Sequence, residues 1–131
     1  MRFLLDTNAL IWFANGDEKL SKVAIEAIEN PENEKIVSVA CIWEMTIKKN
    51  LGKLELKFDL QDIQNILIAN RFELFDIKIH HALFVENLPL FHRDPFDRII
   101  IAQALTEKID VIGIDEIFDQ YFENTGIKRI W

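Results

Sequence analysis

The chain has 131 residues, of which 50% are hydrophobic and 28% are charged, and its net charge is −7 at pH 7. This size and composition are typical of a single globular domain over residues 1–131 and exclude an intrinsically disordered chain. The negative charge argues against a protein that coats nucleic acid, since such proteins are usually basic. It is compatible with an enzyme that gathers carboxylates around metal ions.

Cysteine content and apolar run lengths exclude further classes. Cys41 is the only cysteine, so neither an internal disulfide nor a cysteine-based zinc site can form. Only three apolar residues separate Arg2 from Asp6, which is too short for the core of a signal peptide. No apolar run approaches the ~20 residues that a membrane helix needs. We therefore expect a cytoplasmic protein without a membrane partner.

Predicted strands and helices alternate along the chain. In chain order they are a strand at 2–5, helices at 8–15 and 20–29, a strand at 36–39, helices at 40–51 and 59–71, a strand at 72–77, helices at 80–87 and 94–108, a strand at 110–114, a helix at 116–122 and a strand at 127–131. The strands are short and apolar on both faces. This pattern predicts an α/β fold, a three-layer α/β/α sandwich around a short parallel sheet.

Two acidic residues end predicted strands. Asp6 follows the run FLL and Asp115 follows VIGI, and a predicted helix begins after each. Each acid can therefore be a helix N-cap. A carboxylate at the end of a buried strand is also costly to desolvate unless it is paired or binds a metal. If the two strands are neighbours, the two acids lie close together at the edge where parallel sheets bind ligands.

Two other acids lie on predicted helices. Glu44 lies beside the core-facing stripe of its helix, where Lys48 at i+4 is the alternative partner. Asp97 falls in the first turn of the helix at 94–108. Asp94 is the predicted N-cap there and Pro95 the first helical residue, which leaves Asp97 on the inward face.

The four acids form one predicted site. Clustered carboxylates repel one another and raise each other's pKa values, and divalent cations remove that repulsion. Ligands that are all oxygen atoms favour Mg²⁺ or Mn²⁺ over zinc. The predicted catalytic and metal-binding residues are Asp6, Glu44, Asp97 and Asp115.

Four sequence blocks are spread along the chain: LLDTNALIW, VSVACIWEM, HRDPFDRIIIAQA and VIGIDEIFDQY. The third, HRDPFDRIIIAQA, is the most specific. Through them the sequence resembles the PIN-domain family, in particular the VapC-type toxin ribonucleases of type II toxin–antitoxin systems. The resemblance implies a PIN-like fold and a Mg²⁺- or Mn²⁺-dependent endoribonuclease that cuts RNA with metal-activated water. It places metal-binding acids at the same four positions. It also suggests a homodimer and an antitoxin protein as partners.

Residues around the acids follow the family pattern with one departure. Thr7 and Asn8 match the polar residues that help to orient the site. Gly113 stands where relatives usually carry Thr or Ser, so a hydroxyl beside the last acid is lost. Arg93 and Arg98 lie within the most specific block, on either side of its two acids, and are candidate phosphate contacts, with ordinary solvation at a helix start as the alternative.

The histidines carry weaker signals. His80 and His81 are adjacent and lack the i,i+4 spacing of a helical metal pair, so we expect them to be structural or at the surface. His92 precedes the Asp94 cap in a predicted loop, where it either contacts RNA or is solvated.

Other functions fit the sequence less well. A phosphoacceptor receiver domain needs paired acids at the first strand and a lysine after a late strand, and both are missing. A haloacid-dehalogenase-type phosphatase needs Asp-x-Asp, whereas this chain has Asp-Thr-Asn at 6–8. A catalytically silent PIN-like module that binds RNA or protein is the closest alternative, although the four acids are intact.

Overall fold

The sheet has five strands, all parallel, in the order β3-β2-β1-β4-β5. A computed structural model describes residues 1–131 of the chain. The strands are β1 Arg2–Leu5, β2 Glu34–Ser38, β3 Phe72–Phe75, β4 Asp110–Ile112 and β5 Arg129–Ile130. The predicted parallel sheet is therefore confirmed. Several strands are shorter than predicted.

Seven α-helices connect the strands and form the outer layers. They are α1 Thr7–Asn15, α2 Lys22–Glu29, α3 Val39–Asn50, α4 Ile63–Ala69, α5 Ile79–Phe84, α6 Pro95–Glu107 and α7 Ile117–Phe122. The helices predicted at 59–71 and 80–87 each contain a short 3₁₀ turn, Leu60–Asp62 before α4 and Val85–Asn87 after α5. The predicted α/β/α fold class is confirmed. None of these helices is both long enough and apolar enough to cross a bilayer.

Strand β1 lies at the centre of the sheet, between β2 and β4. Leu4 pairs with Ile36 on one side and with Val111 on the other. Its side chain is fully buried, as are those of its neighbours along β1, which explains a strand that is apolar on both faces. The Asp6 N–H donates to the carbonyl oxygen of Ile112 at 2.9 Å. The chain segments after β1 and β4 therefore leave the sheet side by side.

Helix α6 begins as its sequence predicts. Oδ1 of Asp94 accepts hydrogen bonds from the N–H groups of Phe96 and Asp97, at 2.9 and 3.1 Å, and Pro95 opens the helix. Because Asp94 provides the cap, the Asp97 side chain is free for another role. The middle of α6 is fully buried around Ile101, so the helix start is held firmly against the core.

Candidate metal centre

Asp6 is the N-cap of α1 and also keeps an oxygen that could bind a metal, the two roles considered from the sequence. Its Oδ1 accepts the N–H of Ala9 at 2.7 Å and so caps α1, while the side chain is almost fully buried. Its Oδ2 has no hydrogen bond within the protein and lies close to Gly113. Burial raises the pKa of Asp6 to about 7, against the lowering effect of the Ala9 hydrogen bond. The cap therefore uses one oxygen and leaves the other available.

Electrostatic repulsion shows that the four predicted acids share one region. Asp97, Glu44 and Asp115 each raise the pKa of Asp6 further through charge repulsion, and Glu44 also raises that of Asp97. The oxygens of the four acids do not form a set of three within 4.8 Å of one another. The structure thus brings the acids to one end of the sheet as an open group, not a closed cage.

Glu44 is buried on α3 and has both oxygens occupied. Thr7 Oγ1 donates to its Oε1 at 2.5 Å, and Lys48 Nζ lies 2.9 Å from its Oε2. The alternative pairing with Lys48 is therefore present, but beside the other acids instead of on an exposed helix face. Thr7 orients Glu44, whereas Asn8 is exposed and its side chain makes no hydrogen bond within the protein.

Asp97 is held by a residue for which the sequence offered no such role. His92 Nε2 lies 3.1 Å from Asp97 Oδ2, and the other carboxylate oxygen has no protein partner. Burial and repulsion from Asp94 raise the pKa of Asp97 to about 6, while His92 opposes the rise. His92 in turn contacts the Tyr121 hydroxyl. No periodic pattern links positions 92 and 97 across a helix start, so this contact has no sequence signal.

Asp115 is exposed and follows β4. Its Oδ1 accepts the N–H of Ile117 at 3.0 Å, which stabilises the start of α7, and its second oxygen has no protein partner. The N-cap of α7 is Glu116, so Asp115 supports the helix start from the position before the cap, unlike Asp6, which is itself the N-cap of α1.

A family comparison agrees with this fold. The model of the PIN domain matches residues 3–123, which is almost the whole chain. The chain belongs to the PIN domain family.

Solved structures with this fold include toxin–antitoxin proteins. VapBC2 from Rickettsia felis bound to a promoter DNA fragment is 16% identical, with 100% of both chains covered and a TM-score of 0.73. A toxin–antitoxin complex from Klebsiella pneumoniae is 20% identical, covering 95% of this chain and 93% of that one, with a TM-score of 0.61. VapC20 from Mycobacterium tuberculosis, a sarcin-ricin loop cleaving toxin, is 13% identical, covering 90% and 93%, with a TM-score of 0.67. Identities this low show a shared fold alone. The search of curated proteins found no match.

The two arginines predicted as phosphate contacts differ in their surroundings. Arg93 is exposed and forms no hydrogen bond or ion pair within the protein. Arg98 is buried, and its guanidinium donates to the carbonyl oxygen of Pro89 at 2.8 Å and to the Tyr121 hydroxyl at 3.0 Å. These contacts contradict the predicted phosphate contact for Arg98, because its donors are used inside the protein.

A second group of ligating side chains lies between α5 and α6. His80, His81 and Glu107 have ligand atoms within 4.8 Å of one another. His81 Nδ1 accepts the N–H of Lys78 at 3.0 Å, so the proton of the neutral ring is on Nε2, which lies 2.8 Å from Glu107 Oε1. A nitrogen that carries a proton cannot bind a metal. This group therefore ties the two helices together by hydrogen bonds, in keeping with the structural role expected for the histidines.

The donor atoms of the acidic group fit a hard divalent cation. Asp6, Asp97 and Asp115 each keep one oxygen without a protein partner. The protein offers Asp6 no cationic side chain as a hydrogen-bond partner, although three other carboxylates repel it. An all-oxygen set of this kind suits Mg²⁺ or Mn²⁺.

Proposed function

We propose that this PIN domain is a Mg²⁺- or Mn²⁺-dependent endoribonuclease that hydrolyses RNA phosphodiester bonds, and that it is the toxin of a toxin–antitoxin pair. The observation that carries the proposal is the buried Asp6 carboxylate, which has a free oxygen and three carboxylate neighbours. The family match supports a nuclease. The description of the similarly folded VapC20 as a toxin that cleaves the sarcin-ricin loop supports RNA as the substrate.

The side chains of the site would have different roles. Asp6 and Asp97 would hold the principal cation through their free oxygens, and Asp115 would add its own free oxygen. Glu44 would complete the ligand set although Thr7 and Lys48 contact its two oxygens, because each carboxylate oxygen has a second lone pair. A bound divalent cation would lower the pKa of a coordinated water and so supply a hydroxide nucleophile near neutral pH. Thr7 holds Glu44 in place by its hydrogen bond. The expected products carry 5′-phosphate and 3′-hydroxyl ends.

The principal test compares Asp97→Asn with Asp94→Asn, two substitutions of acids in the same helix turn. The wild-type protein should cut a fluorescently labelled, structured RNA with Mn²⁺ and lose this activity in EDTA. Asp97→Asn should lower kcat/KM by more than about 100-fold, because it removes a charged ligand, not an outer-shell partner. Asp94→Asn should stay within a few-fold of wild type, since asparagine also caps helices. Wild-type cleavage by Asp97→Asn would show that the site is wrongly assigned.

Calorimetry with Mn²⁺ distinguishes the enzyme from a silent PIN-like binding module. Wild-type protein should bind Mn²⁺ measurably, and Asp97→Asn should bind it more weakly because one anionic ligand is lost. Absence of Mn²⁺ binding by a folded wild-type protein would favour the silent module.

Arg93 is the proposed phosphate contact, since its guanidinium is exposed close to Asp94 at the start of α6. Arg93→Ala should raise KM for RNA several-fold with little change in kcat, and it should reduce the slope of log KM against log salt concentration by about 1. Lys57→Ala, another exposed cation on the surface, is the control. An unchanged salt slope in Arg93→Ala would contradict the phosphate contact.

Exposed apolar side chains support protein partners. Ile79 and Leu83, one helical turn apart on α5, are 80% and 64% exposed, and Trp43 on α3 is 61% exposed. We propose that the chain forms a homodimer through these exposed side chains. We also propose that it binds an antitoxin protein, as the description of the similarly folded Klebsiella pneumoniae structure as a toxin–antitoxin complex suggests. Light scattering should give twice the 15.4 kDa chain mass, and Leu83→Glu should shift the protein to monomer. A monomeric wild-type protein would contradict the dimer.

A further inference from the structure

His92, Tyr121 and Arg98 form a hydrogen-bonded chain that ends on Asp97. His92 Nε2 lies 3.1 Å from Asp97 Oδ2, and His92 Nδ1 lies 2.8 Å from the Tyr121 hydroxyl oxygen. That oxygen also receives hydrogen bonds from Arg98 Nη1 at 3.0 Å and from the His92 N–H at 3.2 Å. All four side chains are buried or partly buried, so water competes poorly for these bonds.

The donors around Tyr121 determine where its own proton goes. A phenol oxygen has one proton, and neither Arg98 nor the His92 backbone N–H can accept it, because both are donors to that oxygen. The hydroxyl proton must therefore point to an acceptor. His92 Nδ1 at 2.8 Å is a closer acceptor than the His92 carbonyl oxygen at 3.4 Å. His92 Nδ1 consequently lacks a proton, and the neutral ring carries it on Nε2.

Arg98 keeps this arrangement rigid. Its guanidinium donates to the carbonyl oxygens of Pro89 and Leu88 and to that of His92, at 2.8, 3.4 and 3.4 Å. An arginine has donors in a planar fork and no acceptor, so it can act on Tyr121 only as a donor. The loop that carries His92 is thereby tied to α6, the helix that carries Asp97.

We propose that His92 is a positioning residue for Asp97, held in its Nε2–H tautomer by Tyr121 and Arg98. The Nε2–H bond holds Oδ2 of Asp97 and leaves the second oxygen free, which is the arrangement that outer-shell partners give to carboxylates that bind metals. This inference rests on the proposed function for its purpose. The tautomer itself can be measured without a metal or RNA.

The first test is ¹⁵N NMR of protein labelled in histidine, in EDTA. The spectrum of wild-type protein should show His92 protonated at Nε2 and unprotonated at Nδ1. Tyr121→Phe keeps the ring but removes the hydroxyl, so it should produce a mixture of the two tautomers. An Nδ1–H tautomer in the wild-type protein, or an unchanged tautomer in Tyr121→Phe, would overturn the inference. Neither result depends on whether the chain is a nuclease.

The second test measures Mn²⁺ affinity by calorimetry. His92→Phe retains an aromatic ring without a donor and should weaken Mn²⁺ binding by about 10- to 100-fold. His92→Gln places an amide donor near the position of Nε2 and should restore affinity to within a few-fold of wild type. If the wild-type protein binds Mn²⁺ and His92→Phe binds it with equal affinity, the positioning role is overturned. If His92→Phe does not fold, weakened Mn²⁺ binding in Tyr121→Phe supports the role and unchanged binding overturns it. Absence of Mn²⁺ binding by the wild type would instead contradict the proposed function.

Discussion

Asp6→Asn should abolish RNA cleavage and, in the absence of metal, make the folded protein more stable at pH 8. The two effects have one cause. The Asp6 carboxylate is buried among three other carboxylates, which is unfavourable for the fold and favourable for binding a cation. Asparagine keeps an oxygen that can accept the Ala9 N–H, so the cap on α1 is retained. The substitution therefore removes the charge without removing the helix start.

The sign of the pH dependence follows from the raised pKa of Asp6. Its pKa is about 7 in the folded protein, against an ordinary value of 3.8. Between these values the folded state binds more protons than the unfolded state, so stability in EDTA falls as pH rises from about 4 to 7. A shift of this size corresponds to about 4 kcal/mol at most. The Asp6→Asn variant lacks this decline, and its advantage is therefore full only above pH 7.

Urea unfolding at pH 5 and pH 8, with EDTA or with Mn²⁺, measures these effects. In EDTA the free energy of unfolding of Asp6→Asn should increase relative to that of the wild type as pH rises. Mn²⁺ should stabilise only the wild type. Asp59→Asn is the matched control, since Asp59 is also an aspartate N-cap but is exposed. It should change neither the pH profile nor cleavage. A variant that is destabilised at pH 8 in EDTA would show that the Asp6 charge does not oppose folding.

Local sequence rules predicted those parts of the site that depend on strands and caps. Strand-end positions placed Asp6 and Asp115 together because β1 and β4 are neighbours in the sheet. The Pro95 helix start separated the cap at Asp94 from the free carboxylate at Asp97. Such features depend on a few neighbouring residues, whose conformational preferences act wherever the segment lies.

The same local rules could not predict the long-range contacts of the site. Arg98 carries a charge in the first turns of α6, which indicates an exposed phosphate contact by position, yet the loop before α6 folds over it and uses its donors. Tyr121, on α7, belongs to a different element and reaches Arg98 only through the packing of α7 against α6. Their roles depend on how separate elements pack, and no spacing in the sequence encodes that.

Gly113 shows most sharply how packing changes a sequence-based interpretation. The sequence suggests that a hydroxyl is lost at position 113, whereas the structure shows that the Asp6 side chain lies close to the Gly113 backbone. A Cβ at position 113 would lie 2.6 Å from Asp6 Oδ2 and 3.0 Å from its Cγ. The backbone of Gly113 is not in the left-handed region, so the residue's conformation alone would accept a side chain. The Asp6 carboxylate is what prevents it.

Gly113→Ala should therefore displace the Asp6 carboxylate. The Asp6 side chain is held at Oδ1 by Ala9, and its backbone N–H is bonded to Ile112, so it cannot move freely. We expect Mn²⁺ affinity to fall at least about 10-fold and stability to fall by about 1–3 kcal/mol, as in other overpacked sites. Gly113→Ser should be equally impaired, although it restores the hydroxyl that relatives carry. Calorimetry and urea unfolding measure both effects.

A double-mutant cycle with Asp6→Ala separates this clash from a general cost at position 113. Asp6→Ala removes the two atoms that a Cβ would meet most closely and leaves the Asp6 Cβ at 3.4 Å, an ordinary contact. The stability cost of Gly113→Ala should then nearly vanish in the Asp6→Ala background, which gives a coupling energy close to the whole single-mutant cost. An equal loss of stability from Gly113→Ala in both backgrounds would show that the added Cβ clashes with atoms other than those of Asp6. A large coupling energy would mean that the Asp6 carboxylate occupies the space that a side chain at position 113 would need. In this chain the position of the Asp6 carboxylate would then require glycine at position 113.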